Sequence, residues 1–203
     1  MNTPIICFEH CGSKIFCSDI PEHCPACREA LLVSGSQILP FRLPYPFVKA
    51  DQHPCSIVMK PTVGTFLDDY KNDDDLHIGV TDSKGSICEY DSNGLQMGRT
   101  EEWEQAVLIY KMSEPWMDHW DVVLQEIQED PLYTSERYDE YTFNCYTFVL
   151  EFLKRLKCEE LNDYLGNKEK FCEKFVLGKS KMSGFYINVY RKVRNYEYFF
   201  ERS

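Results

Sequence analysis

The stretch from Arg137 to Leu156, RYDEYTFNCYTFVLEFLKRL, decides how the central part of the chain folds. After a polar and aromatic segment, apolar residues recur three and four positions apart, which is the spacing of an amphipathic helix. Asn144 is a good N-cap, because its side-chain oxygen can accept from a free N–H of the first turn. The stretch predicts a helix that begins at Cys145, with a core-facing stripe made of Cys145, Phe148, Val149, Phe152, Leu153 and Leu156.

The position of Cys145 at the start of this helix allows two interpretations. A helix N-terminus lowers the pKa of a thiol, and the thiolate is the nucleophilic form. The same residue can equally be a small apolar side chain at the beginning of the core stripe. The first interpretation requires a histidine within hydrogen-bond reach of the thiol.

The segment LHIGVT, residues 76–81, supplies a candidate histidine. Its composition predicts a strand, in which His77, Gly79 and Thr81 share one face. Gly79 has no side chain, so it leaves room beside the imidazole for another group. Further strands are predicted over 55–60, 86–90 and 104–111, and residues 76–111 are predicted to form an antiparallel meander.

The composition limits the class of protein. The 43% hydrophobic content excludes a disordered chain, and the net charge of -11 argues against a nucleic-acid partner. No apolar run approaches the ~20 residues of a membrane helix, so no membrane span is expected. The N-terminus lacks the pattern of a signal peptide, which predicts a cytoplasmic or nuclear protein whose 10 cysteines are reduced or bind metal.

Residues 1–33 are rich in cysteine and predict a small zinc-ribbon-like region. Cys24 and Cys27 form a C-P-x-C knuckle, and His10 with Cys11 is the candidate second pair of zinc ligands. Cys7 is an alternative ligand, because Cys7 and His10 have the regular x2 spacing. Zinc held by four protein ligands would be structural, since no position is left for a substrate. Packed reduced cysteines are the alternative, and a redox C-x-x-C is a third.

The rest of the chain is predicted to have an α+β fold, with an antiparallel meander packed against helices. Residues 34–54 are predicted to be a proline-rich linker packed on the body, and 55–203 the main domain. Besides the Cys145 helix, helices are predicted from the stripes Trp116–Ile127 and Met182–Val193, with Ser113 and Pro115 at the start of the first. A short helix is also predicted over 62–70.

His77-Ile-Gly-Val followed by Gly85 and Tyr90, and then Asn144-Cys145-Tyr-Thr-Phe, resembles the circularly permuted papain-like proteins. That group includes the PPPDE desumoylating isopeptidases and lecithin-retinol acyltransferase-like proteins. The resemblance implies a permuted papain-like fold, with Cys145 as nucleophile and His77 as base. Asn144, Tyr90 and Asp75 are the candidates for orienting His77 or holding an oxyanion, and Thr81 is a further candidate for the orienting role.

A second resemblance covers nearly the full length of the chain. The segments His10-Cys11, Cys24-Pro-Ala-Cys27, Gly64-Thr-Phe-Leu67, Asp75-Leu-His-Ile-Gly79, Arg137-Tyr138 and Asn144-Cys-Tyr146 are similar to those of the makorin-2 opposite-strand protein family. This resemblance implies no particular activity.

Two functions are therefore open. The chain can be a thiol hydrolase, isopeptidase or acyltransferase that uses Cys145 and His77 on a protein substrate. Alternatively it can be a non-catalytic module that binds a protein partner and carries a structural zinc site. The distance between Cys145 and His77, and the access to them, discriminate between the two.

Overall fold

The computed structural model describes residues 4–31, 38–113 and 117–202, and the chain divides into two compact units. The smaller unit consists of Met1–Pro46 and Met182–Ser203, and the larger unit of Phe47–Lys181. Among the described residues, no helix is both long enough and apolar enough to cross a membrane.

The described strands are β1 (Ile6–His10), β2 (Ser13–Cys17), β3 (Ile38–Arg42), β4 (Phe47–Val48), β5 (Ser56–Pro61), β6 (Leu76–Thr81), β7 (Ile87–Asp91), β8 (Gly94–Met97), β9 (Ala106–Lys111) and β10 (Tyr198–Arg202). The α-helices are α1 (Met117–Gln128), α2 (Cys145–Leu156), α3 (Asn162–Leu165), α4 (Lys168–Phe171) and α5 (Leu177–Tyr196). Short 3-10 turns cover Ala50–Gln52, Thr100–Trp103, Ser135–Arg137 and Glu159–Leu161, and a π-helical turn covers Cys172–Val176.

The smaller unit is built on an antiparallel sheet with the strand order β10-β2-β1-β3. Strands β1 and β2 form a hairpin whose two loop residues, Cys11 and Gly12, have φ of 48° and 70°. Two consecutive positive φ values are typical of a type I′ turn, which matches the twist of the two strands. Among the described residues, a buried cluster of Phe8, Ile15, Cys17 and Cys24 packs on the sheet.

The larger unit is built on a six-stranded antiparallel sheet with the order β4-β9-β5-β6-β7-β8. One face of the sheet carries an apolar cluster made of Ala50, Val58, Ile87, Trp103 and Ala106. Helices cover the other face: the Trp120 indole N–H of α1 donates to the Thr81 carbonyl oxygen at 2.8 Å, and α2 contacts β6 and β7. The sheet thus lies between two apolar layers, which explains why its strands are buried along most of their length.

The α+β class and the antiparallel sheets predicted from the sequence are confirmed. The predicted meander is wrong in its last step, because β9 pairs with β5 instead of continuing after β7. The physical reason lies in β5, which is buried at all six positions and therefore needs a strand on each side. Strand β8, which follows β7, occupies the place that the meander gave to β9.

The predicted division at residues 33 and 54 stays a prediction about domain organisation. The predicted linker contains β3, which pairs with β1, and β4, which pairs with β9. The end of the chain contributes β10, which pairs with β2. The linker residues 34–37, together with Pro115 and Trp116 of the predicted helix start, lie outside the described residues.

Candidate functional site

The Cys145 helix begins where the sequence predicts it, because Asn144 caps it. The Asn144 side-chain oxygen accepts from the Tyr146 N–H at 3.0 Å, and the Asn144 N–H donates to the Thr147 hydroxyl at 3.3 Å. The remaining amide nitrogen of Asn144 donates to the Glu140 carbonyl at 2.6 Å. These contacts hold Cys145, which is 5% exposed, as the first residue of α2. The Asn144 side chain is thus engaged in capping.

His77 lies in β6 and contacts a carboxylate that the sequence did not single out. Its Nε2 atom is 2.9 Å from Glu89 Oε2. At this distance the two side chains form an ion pair. Both side chains are buried, at 5% exposure for His77 and 2% for Glu89. A pair of opposite charges is therefore enclosed beneath the surface of the larger unit.

The charge state of His77 depends on both Glu89 and Cys145. Burial alone would lower the pKa of the imidazole, because it disfavours the charged form. The neighbouring Cys145 thiol and Glu89 carboxylate outweigh this effect and raise the pKa of His77 to about 9. Since Nε2 lies beside Glu89, Nδ1 is the ring nitrogen left for another partner. The structure thus brings Cys145, His77 and Glu89 together.

Glu89 is held in its ionised form by three neighbours. Burial by itself would raise the pKa of the carboxyl group, but His77, Lys60 and the Trp103 indole together lower it. The Trp103 N–H donates to Glu89 Oε1 at 3.3 Å, and Lys60 Nζ is 4.0 Å from Glu89 Oε2. A buried carboxylate with these partners can fix an imidazole in one orientation.

The strand register explains why Glu89 reaches His77. Val80 pairs with Cys88 and Thr81 with Ile87, and continuing this register one position beyond the paired residues brings Glu89 level with Gly79. Because side chains alternate between faces, Glu89 lies on the face of His77 and Gly79. The sequence predicts both strands, but it does not fix the register between them, so it does not identify Glu89 as the partner of His77.

The orienting candidates chosen from the sequence have other partners. The Tyr90 hydroxyl donates to the Thr134 carbonyl at 2.9 Å, and the alternation of β7 places Tyr90 on the face opposite Glu89. Asp75 is exposed, and its carbonyl accepts from the Thr62 N–H at 3.0 Å. The Thr81 hydroxyl donates to the His53 carbonyl at 2.6 Å. Glu89, and none of these three candidates, contacts the His77 ring at the position of an orienting residue.

The space beside Gly79 is filled by an indole. A Cβ atom at Gly79 would lie 3.1 Å from two ring carbons of Trp103 and 3.2 Å from the Cys88 carbonyl oxygen. Trp103 is fully buried, and its ring centroid is 5.9 Å from that of His77. The missing side chain at Gly79 therefore leaves room for Trp103, which donates to Glu89. The sequence indicated only that some group could approach His77 there.

A second candidate site lies in the smaller unit. The donor atoms of His10, Cys11, Cys24 and Cys27 all lie within 4.8 Å of one another. His10 ends β1, Cys11 is in the hairpin turn, and the other two belong to the C-P-x-C knuckle. Among the described residues, Cys7 is not part of the group, so it does not take the place suggested by its spacing.

The distances within this group fit a tetrahedral zinc ion. Zn–S bonds of about 2.3 Å and Zn–N bonds of about 2.05 Å predict edges of about 3.8 Å between two sulfurs and about 3.5 Å between sulfur and nitrogen. Cys11 Sγ and Cys24 Sγ are 3.8 Å apart, and Cys27 Sγ is 3.5 Å from His10 Nδ1. These two distances match the edges of the tetrahedron, and all four donor atoms lie within 4.8 Å of one another, so the four residues could hold zinc.

The knuckle also favours a thiolate at Cys24. Burial by itself would raise the pKa of this thiol, but the backbone N–H groups of Cys27 and Ala26, with the thiols of Cys27 and Cys11, lower it to about 7. A hydrogen bond from the Arg28 N–H to the Cys24 carbonyl at 2.8 Å closes the turn. N–H groups directed at a sulfur are the kind of outer contact that stabilises a metal-bound thiolate.

Comparisons with known proteins establish the family. The family model described as DUF4796 N-terminal matches residues 3–31, and the one described as DUF4796 C-terminal matches residues 40–193. A human relative, MKRN2 opposite strand protein, is 30% identical over 199 residues, which is 96% of this chain and 88% of the relative. No solved structure matches the chain. The resemblance to the makorin-2 opposite-strand protein family is confirmed, and the chain belongs to that DUF4796 family.

Proposed function

We propose that the larger unit is a thiol-dependent acyl-transfer enzyme, a hydrolase, isopeptidase or acyltransferase, in which Cys145 is the nucleophile, His77 the base and Glu89 the orienting carboxylate. One observation carries the proposal. The buried His77 imidazole has its pKa raised by Cys145 and lies 2.9 Å from the ionised Glu89 carboxylate. A strand histidine that precedes a helix-start cysteine is also the order of the permuted papain-like proteins. Their fold is part of this proposal.

In the first half-reaction, the Cys145 thiolate, paired with the protonated His77, attacks the carbonyl carbon of an amide or ester. The N–H groups at the start of α2 favour negative charge, so in this mechanism the Cys145 N–H would stabilise the oxyanion. His77 then gives its proton to the departing amine or alcohol, and a thioester on Cys145 remains. Glu89 stabilises the imidazolium throughout this step.

In the second half-reaction, a nucleophile attacks the thioester carbonyl while His77 takes its proton. If the nucleophile is water, the product is a carboxylic acid and the enzyme is a hydrolase. If it is an amine or alcohol, the acyl group is transferred to that acceptor. The Cys145 thiolate leaves, and His77 keeps the proton that it took from the nucleophile, so each cycle ends with the thiolate–imidazolium pair with which it began.

We also propose that the smaller unit holds one structural zinc ion on His10, Cys11, Cys24 and Cys27. The fit of the S–S and S–N distances to a tetrahedron supports this assignment. Bound zinc would supply a cross-link between the hairpin and the knuckle. Four protein ligands leave no coordination position for a substrate, so no step of the proposed reaction passes through the metal.

The first experiment is site-resolved alkylation of Cys145 by iodoacetamide between pH 5 and 9, followed by mass spectrometry. We expect fast reaction below pH 7, and a decrease of about tenfold or more in His77→Ala, because the imidazolium is what stabilises the thiolate. His119→Ala is the matched control, since His119 is exposed on α1. A Cys145 that titrates like an ordinary thiol near the ~8.5 reference in the wild type would contradict the proposal.

A second measurement tests turnover. An activated ester such as p-nitrophenyl acetate should give a burst of p-nitrophenol and an acetyl group on Cys145, and both should be absent in Cys145→Ala. If Cys145 is inert towards the ester as well as towards iodoacetamide, the alternative function is favoured. The protein is then a module that binds a protein partner and carries a structural zinc site.

A further inference from the structure

Lys60 is a buried cation placed between two carboxylates. It lies on β5 directly opposite His77 in the register of β5 and β6, and it is 8% exposed. Its Nζ atom is 2.7 Å from Glu102 Oε2 and 4.0 Å from Glu89 Oε2. The same ammonium group lies 5.0 Å from the centre of the Trp103 ring. Lys60 therefore places a positive charge between the buried Glu89, which is the partner of His77, and the more exposed Glu102.

The burial of this lysine requires an explanation. A lysine usually keeps its ammonium group in water, and removing it from water is unfavourable unless opposite charges compensate. The Glu102 side chain is 52% exposed and could pair with Lys60 outside the protein. The inward position of Lys60 is better explained by Glu89, whose side chain is 2% exposed and needs a positive partner.

The proposed reaction changes the charge beside Glu89 in each half-reaction. While His77 is protonated, Glu89 has a positive partner. When His77 gives its proton to the leaving group, Glu89 would become an isolated buried anion without Lys60, and that state is costly. Without a second cation, the carboxylate would hold the proton on His77 and slow its transfer.

We propose that Lys60 is a positioning residue of the thiol site, which shares the Glu89 carboxylate with His77 and thereby keeps the His77 proton transferable. This inference rests on the proposed function, because it assigns Lys60 a role in the same site. The charged and titratable groups that face the pair are Cys145 from α2 and Lys60 from β5, with Glu102 behind Lys60. Trp103 adds a neutral N–H donor.

The direct test is an NMR titration of His77 in the full-length, zinc-supplemented chain, with its signal assigned by comparison with His77→Gln. In Lys60→Met we expect the pKa of His77 to rise by about one unit, because Glu89 then has His77 as its main cation. In Lys60→Arg, which keeps the charge, the pKa should stay near the wild-type value. Lys49→Met is the matched control, since Lys49 forms an exposed ion pair with Glu104 at 3.2 Å.

Glu102→Gln should shift the pKa of His77 in the opposite direction. Glu102 is half-exposed, so this substitution leaves the core unchanged. Without Glu102, the charge of Lys60 acts more strongly on Glu89 and His77, so the pKa of His77 should fall by a few tenths of a unit. If His77 titrates identically in the wild type and in Glu102→Gln, and also in any folded Lys60→Met protein, the role of Lys60 is refuted.

Kinetics separate this inference from the proposed function. Acylation by p-nitrophenyl acetate needs no proton on its leaving group, so Lys60→Met should change its rate by less than about twofold. An amide or alkyl ester needs the His77 proton, and its acylation should slow by about tenfold. An inert Cys145 in the wild type rejects the proposed function, whereas equal losses for both substrates in Lys60→Met reject only the role of Lys60.

Discussion

A histidine buried between a thiol and a carboxylate holds its proton more tightly than a histidine in water, and His77 is in this position. Burial opposes the charged imidazole, but the two neighbours raise the pKa to about 9. At His77, the folded state therefore keeps a proton that the unfolded state has lost, over the range between the ordinary histidine pKa, about 6.5, and this value. The contribution of His77 to stability must depend on pH within that range.

The sign of this dependence follows from the raised pKa. The contribution of His77 to the free energy of unfolding is fully present below pH 6.5 and is lost as the pH rises towards 9. It falls by up to about 1.4 kcal/mol for each pH unit. In Glu89→Gln the pKa of His77 drops, so the slope between pH 6.5 and 8 should become flatter. Urea unfolding at a series of pH values measures this slope of the free energy of unfolding against pH.

The matched control for this prediction is Glu126→Gln, because Glu126 is an exposed acid on α1. Its stability should follow the wild-type curve. A Glu89→Gln protein whose stability falls with pH as steeply as that of the wild type would show that Glu89 does not support the charge on His77.

The site shows which residues sequence reasoning can find. Cys145 and His77 are identifiable because each has a local signal, a capped helix start and a histidine next to glycine in a strand. Glu89 and Lys60 have no such signal, since a glutamate and a lysine in predicted strands are usually exposed. Their burial depends on the register of β5, β6 and β7, which is set by contacts distant in the sequence.

At the scale of elements, β6 and the 3-10 turn Thr100–Trp103 fit together at Gly79. The turn places the Trp103 indole over the strand, and the absence of a side chain at Gly79 lets the ring approach. The indole then reaches Glu89 with its N–H and contacts the Lys60 ammonium with its face. One close contact between two elements thus positions the neighbours of His77.

Gly79→Ala tests this contact. The added methyl would meet Trp103 at 3.1 Å and the Cys88 backbone at 3.2 Å, so one of them must move. We expect a loss of about 1–3 kcal/mol in the free energy of unfolding, which is typical of overpacked cores. Because the indole also donates to Glu89, the pH dependence of Cys145 alkylation should shift as well. Denaturant unfolding and alkylation are measured on the same sample.

Gly178→Ala is the control for Gly79→Ala. Gly178 lies in α5, a methyl group added there would meet no neighbouring side chain or element within 4 Å, and alanine favours a helix over glycine. This variant should be as stable as the wild type or slightly more stable. A Gly79→Ala protein that behaves in the same way would mean that the indole does not depend on the gap at Gly79.

The elements differ in how well the sequence predicts them. The Cys145 helix is strongly periodic and capped, and it begins at the predicted residue. The predicted helix over 62–70 is instead a loop and a single turn. Gly64 has φ of 73°, which is incompatible with a right-handed helix, and the Asp69 carboxylate accepts from the Thr65 N–H at 2.8 Å. Tertiary contacts, such as the stacking of Phe66 on Phe47 at 5.0 Å, fix that turn.

At the scale of the whole molecule, the two units rely on different sources of stability. The larger unit has a sheet with apolar layers on both faces. The smaller unit contains fewer than 70 residues, and its described part includes a buried cluster of Phe8, Ile15, Cys17 and Cys24. A unit of this size rarely stabilises its fold through its apolar core alone, and small units commonly add a metal or disulfides. All 10 cysteines are free thiols here, and the four-donor group is the candidate for such a cross-link.

The proposed zinc ion should therefore support the smaller unit and have little effect on the thiol site. We expect one zinc per chain in the wild type and in Cys7→Ser, since Cys7 is a buried thiol outside the donor group. Cys24→Ser should lose the metal, and amide hydrogens of β1 and β2 should then exchange faster. The free energy of unfolding of this unit should fall by at least about 2 kcal/mol, because a metal that binds only the folded state stabilises it.

The reactivity of Cys145 distinguishes a structural metal from a catalytic one. His10, Cys11, Cys24 and Cys27 all belong to the smaller unit, whereas Cys145, His77 and Glu89 belong to the larger. Four protein ligands would also occupy every tetrahedral position of the ion. Removing zinc with a chelator, or by Cys24→Ser, should thus leave the alkylation rate of Cys145 within about twofold of the wild-type value at each pH. A tenfold loss would mean that the metal contributes to the thiol chemistry and that the structural assignment is wrong.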